Sequence, residues 1–141
     1  RDDRLYRGLG DVYKRQPQLF IMDKNGDNIK RISKGRGVYG NPVWSPRGDL
    51  IAFTKLTQGN FHIGVMDTNG NNERVIVRDF SLESPAWSPN GRYLIFHRQK
   101  RSNLDGTGGE VSIHFIDITG YNERVIPTPL DGSDPAWSPL L

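Results

Sequence analysis

A chain of 141 residues with 19 basic and 16 acidic side chains has the length of one domain and a formal charge of only +3. It contains no cysteine, which excludes disulfides and thiolate metal sites. No apolar run approaches the ~20 residues of a membrane-spanning helix, and 16 glycines with 9 prolines suit many short strands joined by tight turns.

Residues 1–16 stand apart from the rest of the chain. Read as codons, Arg7–Gln16 is one frame of the end of a transposon adapter used to build sequencing libraries, so 1–16 are expected to be unstructured read-through rather than domain. The segment carries Arg1, Arg4, Arg7, Lys14 and Arg15 against Asp2, Asp3 and Asp11, and therefore most of the net positive charge. The remainder is close to neutral and shows no basic face with interleaved aromatics, so no nucleic-acid partner is expected. The chain does not begin with Met, and 17–141 is expected to open inside a repeat as a fragment of a longer protein.

From Pro17 onward, short phrases recur. Leu19-Phe-Ile-Met-Asp23, Ile63-Gly-Val-Met-Asp67 and Ile113-His-Phe-Ile-Asp117 form one set. Each leads into Asp-x-x-Gly and then Lys30-Arg-Ile-Ser33, Glu73-Arg-Val-Ile-Val77 or Glu123-Arg-Val-Ile126. Asn, Asp and Gly tolerate the positive φ of hairpin tips, so each reads as two strands around a turn. Pro42-Val-Trp-Ser-Pro46, Pro85-Ala-Trp-Ser-Pro89 and Pro135-Ala-Trp-Ser-Pro139 form the other set, with Trp residues 43 and 50 apart. The first two are followed by a Gly turn and the apolar runs Leu50–Phe53 and Tyr93–Phe96.

A period of about 40–45 residues with four strands per unit is the pattern of a β-propeller blade. The fold class is therefore all-β: a partial propeller with two full four-stranded antiparallel blades and two partial ones. Strand A is the Trp phrase, B the apolar run, C the run ending in Asp, and D the Arg-Val-Ile run. The expected spans are C and D of one blade over about 18–33, full blades over about 42–77 and 85–127, and a final strand A at Pro135–Ser138. A longer B–C loop, Gln99–Gly109, accounts for the 50-residue spacing. Trp44, Trp87 and Trp137 are expected as structural residues filling the gaps between blades, with Trp137 packed on one side only and partly exposed.

Few motifs point to chemistry. Gly35-Arg-Gly-Val-Tyr-Gly40 matches a dinucleotide fingerprint, but an extended segment comes after it where a helix is required. Asp23-Lys-Asn-Gly-Asp-Asn28 lacks the glycine and glutamate positions of a calcium loop. Arg47-Gly-Asp49 falls in an A–B turn. His62, His97 and His114 lie on different strands without metal-ligand spacing. No nucleophile elbow and no Ser/His/Asp set brought together by the repeat is visible. No catalytic residue, cofactor or metal is expected.

The string Pro-x-Trp-Ser-Pro-x-Gly, Ile-Ala-Phe, Val-Met-Asp and Arg-Val-Ile resembles the repeats of the TolB family of periplasmic propellers, over about Pro17–Leu141. The ending Asp134-Pro-Ala-Trp-Ser-Pro-Leu-Leu141 resembles the family's C-terminus. The repeat alone is shared with propellers of prolyl-oligopeptidase-like and tricorn-like peptidases and of oligogalacturonate lyases. The resemblance implies the C-terminal part of a six-bladed propeller that follows an α/β domain, located in the periplasm and without catalytic activity or direct membrane insertion. It implies binding of the peptidoglycan-associated lipoprotein Pal, in support of outer-membrane integrity and constriction at division. By the same resemblance, the TolA-binding region of the family is expected to lie outside this chain. By position, the Pal-binding loops would be those just before each Trp phrase: Val38, Tyr39, Gly40 and Asn41; Leu82, Glu83 and Ser84; Gly132, Ser133 and Asp134.

Overall fold

The computed structural model describes residues 16–139, and the adapter assignment of residues 1–15 lies outside the described residues. Strands β1 (Phe20–Ile21) and β2 (Lys30–Arg31) form a short antiparallel pair. Strands β3 (Val38–Trp44), β4 (Leu50–Thr57), β5 (Asn60–Asp67) and β6 (Arg74–Asp79) form the first complete sheet, in sequence order. The second consists of β7 (Ser81–Trp87), β8 (Tyr93–Gln99), β9 (Val111–Asp117) and β10 (Arg124–Ile126), again in order. Among the described residues there is no helix, and none long and apolar enough to cross a membrane. The chain is thus an all-β partial propeller of two full blades, as the repeat predicts.

The turns explain why the phrases recur. At each C–D tip an Asp side chain organises the backbone. Asp67 Oδ1 accepts from the Asn69 and Asn71 amides at 2.9 and 2.8 Å, and Asp23 Oδ1 from Asn25 and Asp27 at 3.0 and 2.9 Å. Asn28, Asn72 and Asn122 come next with φ near 56°, 53° and 59°, a conformation that Asn tolerates better than most residues. The carboxylate of the calcium-like phrase therefore serves its own turn. At the A–B corners the Gly48 and Gly91 amides donate to the Ser45 and Ser88 carbonyls at 2.9 and 2.8 Å. Asp49 of the Arg-Gly-Asp phrase accepts from Ser45 Oγ at 2.8 Å.

Blades stack through two apolar layers. The first joins Leu19 and Ile32 to Tyr39, Ile51, Phe53 and Met66. The second joins Ala52, Ile63, Val65, Ile76 and Val77 of one blade to Leu82, Trp87, Leu94, Phe96 and Ile116 of the next. Trp87 Nε1 donates across this gap to the Val43 carbonyl at 2.9 Å, so the ring both fills space and satisfies its one polar atom. The C–D tip of the first full blade also leans on strand D of the blade before it. A Cβ at Gly70, with φ +75°, would overlap the Ile32 carbonyl oxygen, while at Gly26 it would meet nothing.

Ion pairs recur at equivalent places. Lys55 Nζ lies 2.7 Å from Glu73 Oε1, and Tyr39 donates its hydroxyl hydrogen to Glu73. In the second blade Arg98 bridges Glu123 and Asp79. There His114 takes the position held by Gly64, its ring stacked 5.7 Å from Phe96 and its Nδ1 2.8 Å from Glu123 Oε1.

Two expectations are corrected. Trp44 is not core: it is 55% exposed, against 7% for Trp87, because no strand A of a preceding blade lies beside it among the described residues. Pro135–Ser138 is not a strand. A strand exists through a hydrogen-bonded neighbour, and no strand B is present among the described residues to pair with it. The segment is held instead by the Gly132 amide, which donates to the Val111 carbonyl at 3.1 Å. Trp137 is 38% exposed. It lines a concavity of about 620 Å³ together with Trp44, Trp87 and the closing prolines Pro46, Pro89 and Pro139, so strand A forms the edge of each full blade that faces this concavity.

Candidate partner-binding face

Contrary to the expectation from sequence, the segments before the first two Trp phrases are not loops. They are the first halves of β3 and β7, each paired to strand B and interrupted by a register shift, between Gly40 and Val43 and between Glu83 and Ala86. The interruption has a local cause. Pro42 and Pro85 carry no amide hydrogen for the ladder, and the residue before each turns into the left-handed region. Asn41 has φ 47°, Ser84 has φ 54° and, at the third phrase, Asp134 has φ 48°. A bulge of this kind bends the strand and re-aims its side chains. Three equivalent residues are thereby set along one rim. Gly40 and Gly132 do not make this turn, since neither has a positive φ.

The bulge divides the predicted site. Tyr39 is 2% exposed with its hydroxyl committed to Glu73, and Leu82 is fully buried in the interblade core. Both are packing residues and are removed from the candidate contacts. Gly132 lies against Ile113 and is half-buried, as is Val38. Asn41, Ser133 and Asp134 are exposed, while Gly40, Glu83 and Ser84 are partly so.

Ser84 and Asp134, 50 residues apart, are directly bonded: Ser84 Oγ donates to Asp134 Oδ1 at 2.7 Å. Ser133 Oγ donates to Oδ2 at 3.1 Å, and the Asp134 amide approaches His97 Nδ1 at 3.4 Å. The hydrogen bonds from Ser84, then Ser133, hold the Asp134 carboxyl below its usual range by stabilising its ionised form. His97, absent from the sequence reading of this face, is the cross-strand partner of Glu83. That register could have flagged it. The grouping of Ser84, His97 and Asp134 also departs from the expectation that the repeat would assemble no such set. Its connectivity differs from a nucleophilic triad, however, because Ser84 donates to the carboxylate and His97 faces a backbone amide. Among the described residues no cluster of three or more metal-type side chains occurs. The arrangement offers an ordered anionic patch for hydrogen-bond donors of a partner. Asn41 and Gly40 occupy the corresponding place one blade earlier.

The Arg-Gly-Asp corner and the C–D tips lie on the opposite rim, because strand A runs from the bulge to the A–B turn. The glycine-rich 35–40 stretch leads into β3, and Gly37 (φ +118°) allows the backbone to pass close to the Leu56 carbonyl.

Known proteins agree with this architecture. The Tol-Pal system protein TolB of Gluconobacter oxydans is 52% identical over 76 residues, 54% of this chain and 17% of that protein. TolB of the Wolbachia of Drosophila simulans is 49% identical over 69 residues, 48% of this chain and 16% of that protein. The chain thus spans about a sixth of the length of these curated relatives. Among solved structures, TolB from Acinetobacter baumannii superposes with a TM-score of 0.67 at 21% identity, covering 80% of this chain and 27% of that one. A TolB-type protein from Agrobacterium tumefaciens gives 0.67 at 22% identity, covering 86% and 45%. The family model of the TolB beta propeller domain matches residues 13–141, and the chain belongs to that family.

Proposed function

We propose that this chain is a non-catalytic interaction module of the Tol-Pal envelope system, working in the periplasm, and that its bulged rim binds the lipoprotein Pal. Residues 17–141 are then the C-terminal part of a TolB-like propeller, and the complex supports outer-membrane integrity and constriction at division. One observation carries the choice of face: Ser84 Oγ donates to Asp134 Oδ1 at 2.7 Å across 50 residues, joining the approaches to two successive Trp phrases. This bond, with Ser133 Oγ on Oδ2 at 3.1 Å, holds the exposed Asp134 carboxylate as an ordered acceptor. The carboxylates of Glu83 and Asp134, with Asn41 at the equivalent place one blade earlier, would accept hydrogen bonds from Pal.

The test is binding to the lipid-free soluble domain of Pal. Reversing charge with Asp134→Lys or Glu83→Lys should weaken binding about tenfold or more, in the range of a rim-to-core interface contact. Asn71→Lys, on the opposite rim, should leave it unchanged. Equal losses at the two rims would remove the assignment of the face.

A further inference from the structure

The two blades differ in one feature that the repeat does not require. Strands β4 and β5 are joined by a two-residue turn, Gln58-Gly59, whereas β8 and β9 are joined by 100–110. This long connection is a second hairpin built on top of the blade. Lys100 donates its amide to the Glu110 carbonyl at 3.1 Å, and Asn103 to Thr107 at 2.7 Å. Ser102 and Gly108 form a bridge pair. The tip is closed by the Gly106 amide on the Asn103 carbonyl at 3.1 Å, while Asp105 Oδ1 accepts from the Thr107 amide and hydroxyl at 2.9 and 2.7 Å. Gly106, Gly108 and Gly109 supply the positive φ values. At the apex, Leu104 is fully exposed.

The hairpin rises from the end of the sheet at which β7 begins, two residues along from the Glu83–His97 pair. Ser81, at the start of β7, pairs with Gln99, and Gln99 pairs with Val111, so both stems of the hairpin leave the sheet beside the D–A junction. At its base the Arg101 guanidinium lies 4.3 Å over the ring of Phe80, itself partly exposed at that junction. An ordered hairpin that holds a leucine in water, above a stacked Arg–Phe pair, has met most of the ordering cost of a contact before any partner arrives. Arginine and aromatic side chains are also the types that dominate interface energetics.

From this geometry we infer that the 100–110 hairpin is a specificity finger for the protein partner of the bulged rim, inserting Leu104 into an apolar depression of that partner. Arg101 then meets acceptors at the edge of the depression. The inference rests on the proposed reading of the rim as the Pal-binding face, and commits to the same occupant.

The experiment compares the unaltered 141-residue chain with three variants: Leu104→Asp, Leu104→Ala, and replacement of 100–110 by the Gln-Gly turn of the first blade. Affinity for lipid-free Pal is read by titration, with thermal melting and sedimentation as parallel measurements. Leu104→Asp and the shortened turn should each weaken binding about tenfold, and Leu104→Ala about threefold, with melting unchanged in the two point variants because Leu104 has no packing partner to lose. Wild-type affinity in Leu104→Asp overturns the finger while leaving the rim in place. Pal binding absent from the unaltered chain removes the rim reading, and the finger with it. Self-association that Leu104→Asp abolishes, with Pal affinity unchanged, assigns the tip to a second copy and likewise overturns the proposal.

Discussion

Trp44 and Trp87 occupy the same place in the same phrase, on strands of the same length, yet one ring is mostly in water and the other is buried. The difference lies wholly in the neighbour. Trp87 faces the preceding blade and donates to its Val43 carbonyl, while Trp44 faces a side where the described residues place only the short β1–β2 pair. A repeat phrase thus specifies the shape of a side chain and its direction, and the adjacent unit specifies what that side chain is worth.

The widest separation should come from truncating the two rings. Trp87→Ala should cost about 3–5 kcal/mol through lost burial and the cavity left behind, and Trp44→Ala less than about 1 kcal/mol. Chemical denaturation of both variants measures the gap. Similar losses would mean that Trp44 is covered in solution.

Glycines at the C–D tips give the next contrast. Both Gly26 and Gly70 have positive φ, so alanine at either bears backbone strain of about 1 kcal/mol. Only at Gly70 does the added methyl collide with the backbone of the preceding blade. Gly70→Ala should therefore lose roughly 2 kcal/mol more than Gly26→Ala, by the same denaturation measurement.

The blades should also differ toward acid. Burial, reinforced by the charge of Arg98, pushes the His114 imidazole below its ordinary 6.5 despite the nearby Glu123. The neutral ring is then the native form, and the unfolded chain takes up the proton more readily. Its contribution to stability is complete above about pH 6.5 and is lost as pH falls through the lowered native value. His114→Gln should flatten the pH dependence of melting below pH 6.5. At the equivalent position of the first blade, Gly64 has no group to titrate. An unchanged acid slope in the variant would place the titration elsewhere.

The smallest effect is expected on the rim. Ser84→Ala removes the principal hydrogen bond that holds Asp134 ionised, so the carboxyl should titrate at higher pH, as followed by NMR. A matched Asn41→Ala change should leave Asp134 where it is, and a shift in both would mean that the two rim positions communicate.

Much of this was legible in the residues. Three Trp phrases, three Asp-x-x-Gly tips and the apolar runs between them define four-stranded units, because turn residues and strand periodicity are local properties of a chain. The oversized loop at 99–109 could be read from the spacing alone. The segments before the first two Trp phrases read as loops but are paired strands. Tyr39 and Leu82 looked like loop residues, and only the register shows that alternation sends them inward before the bulge turns Asn41 and Ser84 out.

What the sequence determined by itself is therefore the unit: its strands, its corners and the order in which they follow, since each rests on contacts within a few residues. What the tertiary structure decided is everything that requires a second unit beside the first. The burial of Trp87 and exposure of Trp44, the closeness of Ser84 to Asp134 across 50 residues, the place of His97 beside Glu83, and the failure of Pro135–Ser138 to become a strand all belong here. Each depends on which surface or ladder lies alongside, and hydrophobic burial and strand pairing are energies of contact between segments that no single phrase contains.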